Sequence, residues 1–205
     1  GRHTMEPHRI SFERGNEVHI RVQGSHPGEL DYNINTFSLN GTLYSVLGFS
    51  GGRSLDNELD LPWSGKTPLT VHIRRLEGVL DVLEVFHGSG YLHLDISPEN
   101  ILLLGDGKKE RVSLIDYNSV HTLKEIKNGE CLYYSAKEGY TSAEVRRGRI
   151  SSIGYASDLY SLTAVLYRLI TGSRLMPRQV VSETIPDISN AECLRGLPET
   201  VIRMV

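Results

Sequence analysis

The chain has 205 residues, enough for one domain or two small lobes around a true core. Hydrophobic residues make up 39% and charged residues 23%, which excludes an intrinsically disordered chain. A net charge of -3 argues against a general nucleic-acid binder, and no apolar run approaches the ~20 residues of a membrane span.

The opening "GRHTMEPHRI" lacks an apolar h-region, so no signal peptide is expected. Residues 8–24 read as a short helix, weakened by Gly15 and several β-branched residues. "SHPGE" (Ser25–Glu29) breaks the chain. "INTFSL" and "TLYSVLGF" read as strands joined at Asn40-Gly41, the strongest short hairpin signal. The Gly-rich "SGGRS" (Ser50–Ser54) marks a boundary between a small lobe, 1–50, and the remainder, 51–205.

The clearest helix covers residues 68–87. Ile73, Leu76, Val79, Leu80, Leu83 and Phe86 recur at helical steps, with Thr70 as cap and Gly88 as stop. "ILLL" and "RVSLID" predict two short strands around the turn "GDGKK". Tyr117–Arg149 is polar and long for a loop, a length that in compact domains usually serves function. "SDLYSLTAVLYRLITG" predicts a second strong helix with Leu159, Leu162, Val165, Leu166, Leu169 and Ile170 on its apolar face. Ser157 is its expected cap and Gly172 its stop. From Met176 onward the helical signals weaken. Cys131 and Cys193 show no C-x-x-C spacing, which fits a reduced, cytoplasmic protein.

The chemistry concentrates in "YLHLDISPEN" (Tyr91–Asn100) and "LIDYN" (Leu114–Asn118). Asp95 precedes the carboxamide of Asn100 by five residues, and Asp116 ends the second predicted strand. Mg²⁺ takes oxygen ligands from one or two carboxylates plus substrate phosphates, and a remaining carboxylate can accept the proton of an attacking hydroxyl. A hairpin between Asn100 and Asp116 would return the second Asp beside the first loop. Read without further context, the same residues could form a polar turn.

"HLDISPEN" resembles the catalytic loop of protein kinases, H-R-D-x-x-x-x-N. "DYN" (Asp116–Asn118) sits where those kinases have D-F-G, and "SAE" (Ser142–Glu144) where they have A-P-E. "ASDLYSLTAVLYRLITG" is similar to the buried helix that follows. "NGTLYSVLGFSGGRSL" resembles the strand pair and hinge between the kinase lobes, and "NEVHIRVQGSHP" the end of helix C. The motifs keep family order over nearly the whole chain, and "DISPEN", "IDYNSV" and "GYTSAE" most resemble bacterial serine/threonine kinases. The resemblance implies an α+β, two-lobe fold: a truncated N-lobe of helix C and two strands, and a mainly helical C-lobe.

It also implies roles. Asp95 would be the catalytic base, and Asn100 and Asp116 would hold Mg²⁺ on the phosphates of ATP. The Gly48 carbonyl and Ser50 amide would meet the adenine edge, with Leu102 beneath the ring. Glu17 matches the helix-C glutamate. Tyr140 and Glu144 would close the activation segment beside a protein substrate bearing Ser or Thr. His93 and Asp158 are structural, Asp158 accepting backbone N–H bonds in the catalytic loop. Thr122, Ser135, Thr141 and Ser142 read as ordinary loop hydroxyls.

Four departures qualify the pattern. Leu94 replaces the Arg of H-R-D, and Ser97 stands where such kinases often carry a Lys that meets the γ-phosphate. Asn118 replaces the Gly of D-F-G, and Ala143 the Pro of A-P-E. Six lysines are present (Lys66, Lys108, Lys109, Lys124, Lys127 and Lys137), all after the expected hinge, so none can pair with Glu17 on a preceding strand. No G-x-G-x-x-G precedes residue 17. A part of a longer kinase domain is expected, and the 205 residues alone are expected to bind ATP weakly without turnover. The alternatives are a pseudokinase acting as an interaction module, and a small-molecule phosphotransferase of the aminoglycoside-kinase type.

Overall fold

A computed structural model describes residues 6–25, 33–48, 51–59, 67–105, 107–130 and 134–175. The expectations for Ser50, Lys66, Cys131, Cys193 and the tail from Met176 lie outside these residues. Helix α1 (Glu6–Ser25) leads into the hairpin β1 (Asn33–Leu39) and β2 (Thr42–Leu47). Asn40 and Gly41 both take positive φ (52° and 74°), the left-handed pair that a two-residue hairpin turn requires. The side chains of Asn33 and Ser45 both donate to Asn16 Oδ1, at 3.1 and 2.6 Å, and dock α1 on the hairpin.

Next come β3 (Arg53–Ser54), α2 (Asp56–Leu59) and the long α3 (Leu69–Gly88). Pro68, not Thr70, occupies the N-cap of α3, and no side chain caps it. Leu76, Val79, Leu83 and Phe86 are buried as the periodicity predicts. Each contributes roughly 1.5–3 kcal/mol by leaving water. Leu80 is instead exposed.

Strands β4 (Tyr91–Leu92), β5 (Ile101–Leu104), β6 (Arg111–Leu114) and β7 (His121–Thr122) follow, with a 3₁₀ turn at Pro98–Asn100. β3, β5 and β6 form one antiparallel sheet, and β4 pairs with β7. The stretch read as a long loop is folded in part. It holds a 3₁₀ turn at Tyr117–Ser119, α4 (Leu123–Lys127) and α5 (Ala143–Arg146). Thr122 caps α4 in a reciprocal box with Glu125.

Helix α6 (Tyr155–Thr171) ends at Gly172 with φ 70°, as expected. Its N-cap is Gly154, and Ser157 lies inside the first turn, accepting from the Gly154 N–H at 3.3 Å. Leu162, Val165, Leu169 and Ile170 are buried, but Leu159 is exposed. One core joins α1, α3, β4 to β6 and α6; a smaller cluster of Leu92, Leu94, Ile126, Val145 and Ile153 lies under the 117–153 segment. Among the described residues no helix is long and apolar enough to cross a membrane.

Candidate active site

The segment after β4 runs through a strained backbone. Leu94 has φ 60°, a conformation that costs a Cβ-bearing residue about 1–2 kcal/mol. Asp158 holds it there. This fully buried carboxylate accepts the N–H of His93 at 2.9 Å and of Leu94 at 2.8 Å. Its Oδ2 also lies 2.8 Å from His87 Nε2. Hydrogen bonds to an ionised acceptor are about twice as strong as neutral ones, so two of them offset the strain. The first turn of α6 suits a carboxylate because the helix dipole is positive there.

With the loop pinned, Asp95 and Asn100 meet. Asn100 Nδ2 donates to the Asp95 carbonyl at 2.8 Å and to Asp95 Oδ2 at 3.1 Å. Its nitrogen is thereby committed, which leaves the amide oxygen for a cation. The β5–β6 pairing sets Ile101 opposite Leu114, and the Ile115 N–H donates to the Asn100 carbonyl at 3.0 Å. Asp116 therefore follows directly beside Asn100. Asp116 is exposed and left-handed (φ 64°), and its Oδ1 accepts from the Asn118 N–H at 3.3 Å.

Burial pushes the Asp95 carboxyl up to about 6. The Lys137 ammonium opposes this, the Asp116 charge adds to it, and hydrogen bonds from Asn100 and Ser135 lower it. Asp95 is thus a base ionised at neutral pH yet far more basic than an ordinary Asp. Lys137 Nζ lies 3.5 Å from Asp95 Oδ1, 2.9 Å from Ser97 Oγ and 3.1 Å from Glu99 Oε2.

Behind the polar groups runs a column of rings. Tyr117 meets His19 and His93 edge-on, at 4.5 and 5.7 Å, and stacks on Phe86 at 5.2 Å. His93 is fully buried, and burial lowers its pKa, so the ring packs as a neutral group. Gly15 explains how α1 comes so close: a Cβ there would sit 2.7 Å from the Tyr117 carbonyl oxygen. The residue that weakened the helix in sequence is the one that lets it dock.

The other sequence-derived positions are scattered. Gly48 is half-buried just after β2, and Leu102 is half-buried on β5. Glu17 is exposed, while α1 turns Phe12, Gly15, Asn16 and His19 toward a small cavity beside Asp116 and Tyr117. Tyr140 is buried with Arg174 over its ring at 5.7 Å. Glu144 accepts the Ser157 hydroxyl at 2.6 Å, which joins α5 to α6. Lys137, Gly15 and Tyr117 were given no part in the site from sequence. No local pattern marks Lys137, because its partners lie about forty residues earlier in the chain.

A family model for the protein kinase domain matches residues 13–198. The chain belongs to the protein kinase domain family. It is 27% identical over 179 residues to the serine/threonine-protein kinase pkn3 of Myxococcus xanthus, over 83% of this chain and 32% of that protein. The chain spans about a third or less of the length of the curated relatives it matches. In fold it is similar to PpkA-294 in its apo form, with TM-score 0.70, 24% identity and coverage of 99% of this chain and 69% of that one. It is also similar to the kinase domain of Mycobacterium tuberculosis PknI, with TM-score 0.66, 19% identity and coverage of 90% and 64%. The α+β architecture described above is thus a protein-kinase fold.

Proposed function

We propose that this kinase domain transfers the γ-phosphoryl group of ATP to serine or threonine hydroxyls of a protein. The observation that carries the reading is the convergence of Asp95, Asn100 and Asp116. Separated by up to 21 positions in sequence, they are joined by the Asn100–Asp95 bonds and the β5–β6 hairpin. Asp95 orients the acceptor hydroxyl and takes its proton.

The donor set suits Mg²⁺. One carboxylate, Asp116, and one carboxamide oxygen, Asn100, would hold the ion, with phosphates and water completing six oxygens. When bound there, the cation neutralises charge on the phosphates. Gly48 and Leu102 are assigned to the adenine side, and Tyr140 and Glu144 to the support of the substrate shelf. Glu17 is left out of the site because the side of α1 that lines the cavity beside Asp116 carries Phe12, Gly15, Asn16 and His19 instead.

A second reading, an interaction module without transfer, is favoured by that same face of α1. Gly15, Asn16 and His19 line the cavity, and none can pair a phosphate-binding lysine as a carboxylate would. One experiment separates the readings. Full-length protein carrying this domain is incubated with labelled ATP and Mg²⁺, with a generic protein substrate and, in parallel, with aminoglycosides and small polyols, and with Asp95→Asn as control. Labelled serine or threonine is expected, falling on the order of 100-fold or more in the variant. Equal labelling by Asp95→Asn overturns its role, no labelling favours the module, and labelling confined to aminoglycosides or small polyols favours a small-molecule phosphotransferase.

A further inference from the structure

The catalytic loop carries no cation of its own, because Leu94 and Ser97 stand at the two positions where the kinase resemblance leads one to expect Arg and Lys. One positive charge nevertheless arrives from outside the loop. The Lys137 ammonium rests on the buried Ser97 hydroxyl at 2.9 Å and lies 3.5 Å from Asp95 Oδ1. Lys124 and Lys127, the other lysines between Asp116 and Glu144, are exposed on α4.

The placement of Lys137 is built in. Its own N–H donates to Thr141 Oγ1 at 2.8 Å, and its carbonyl accepts the N–H groups of Tyr140 and Thr141 at 3.1 and 3.0 Å. Thr141 is itself buried, so the turn 137–141 is anchored in the domain. The third partner of the ammonium, Glu99 Oε2 at 3.1 Å, is half-exposed. Such an exposed pair contributes little and is readily exchanged for a stronger anion. The ammonium is therefore held by Ser97 and the turn, with one donor direction open to exchange beside the catalytic base.

We propose that Lys137 is a catalytic residue of this kinase, its ammonium contacting the transferring phosphoryl group in place of a lysine at residue 97, with Thr141 as its positioning residue. The inference rests on the kinase reading above. Lys137 exchanges no proton in the step. The hydroxyl proton passes to Asp95, and the new oxygen–phosphorus bond forms as the bond to the β,γ-bridging oxygen breaks. The electron pair leaves with ADP, and the ammonium stabilises the charge spread over the phosphoryl oxygens. The charge thus belongs to the activation segment, so transfer requires that segment to be docked.

The test transposes the charge in full-length protein. Lys137→Ala is expected to lower kcat about 100-fold with a smaller change in KM for the protein substrate. Ser97→Lys combined with Lys137→Ser is expected to recover most of that loss. Binding of Mg·ATP and Mg·ADP by calorimetry supplies a readout apart from turnover: Lys137→Ala should weaken ATP about 10-fold and leave ADP unchanged. Thr141→Val should lower kcat less, with the same ATP-selective loss. Unchanged kcat in Lys137→Ala, equal loss of ATP and ADP affinity, or no recovery by the transposed pair overturns the proposal. A wild-type protein without Asp95-dependent transfer would instead overturn the kinase reading itself, and this inference with it.

Discussion

Arg53, Glu58, Arg75 and Glu110 form one polar cluster, and Asp95, Glu99, Asp116 and Lys137 form another. In the first, two guanidinium groups face two carboxylates. Arg75 grips Glu110 with two bonds of 2.6 and 3.0 Å and Glu58 with two of 2.5 and 3.3 Å, while Arg53 reaches Glu110 at 3.1 Å. In the second, one ammonium faces two carboxylates, Asp95 and Glu99, and a third, Asp116, adds its charge beside Asp95. The first cluster is saturated and ties α3 to α2, β3 and the end of the β5–β6 turn. The second leaves acceptors open at the exposed Asp116 and keeps a buried carboxylate more basic than normal. The contrast separates charges that hold a fold from charges left open, the ones proposed above to meet a ligand cation.

The largest effect should come from breaking the closed cluster. Arg75→Ala leaves the Glu110 carboxylate, 4% exposed, without its main partner. A buried ion pair broken on one side costs about 3–5 kcal/mol. Urea midpoints of wild type and variant give the value; a loss under about 1 kcal/mol would reduce the cluster to decoration. Arg75→Lys should recover only part, because an ammonium cannot reproduce the two-pronged grip.

A smaller, pH-dependent effect comes from His72, buried beside that cluster. Burial pushes its ring down to about 4, the Arg75 cation pushes the same way, and Glu58 and Glu110 oppose them. In the unfolded chain the value is near 6.5. The folded value lies below the unfolded one, so the unfolded chain gains the proton first as pH falls. Stability is full above about pH 6.5 and is lost progressively toward pH 4, by up to about 3 kcal/mol. His72→Leu should flatten the stability profile between about pH 6.5 and 5. Glu110 does not obscure this window: the hydrogen bond from Arg75 outweighs burial and holds its carboxyl below the ordinary range. Parallel profiles for wild type and variant would remove His72 as the source.

Both clusters bear on how much the sequence reveals. Asp95, Asn100 and Asp116 were legible because short-range rules bring them together: a five-residue loop, then a hairpin whose strands alternate and pair. Helices α3 and α6 were legible from their period, although Leu80 and Leu159 sit at the exposed edge of their stripes. The two-lobe reading followed from motif order. Lys137 was not legible, because its contact with Ser97 spans 40 positions and depends on a turn anchored by Thr141. Gly15 was misjudged for a related reason. Helix propensity counts a glycine as a local cost, whereas here the missing Cβ admits the Tyr117 carbonyl from a distant segment. The segment 117–149 was read as a loop because its elements are short and nucleated by local capping, as at Thr122 and Glu125, rather than by an apolar period.

The smallest effect should have the opposite sign and sharpens the comparison most. Asp95 is 6% exposed, and its carboxyl titrates at about 6 in the folded chain against 3.8 as the ordinary value. A folded value above the unfolded one means that ionising this group costs stability. The cost is absent below about pH 4, grows between the two values and is complete above about pH 6. Asp95→Asn removes the charge at constant shape and should raise stability at pH 7.5 by about 1–2 kcal/mol without nucleotide. That gain should fade as the pH is lowered toward 4, where the wild-type carboxyl is already neutral. Urea midpoints at both pH values decide it. A loss of stability at pH 7.5 would mean that Asp95 belongs with the closed cluster, its charge spent on the fold and not held in reserve for transfer.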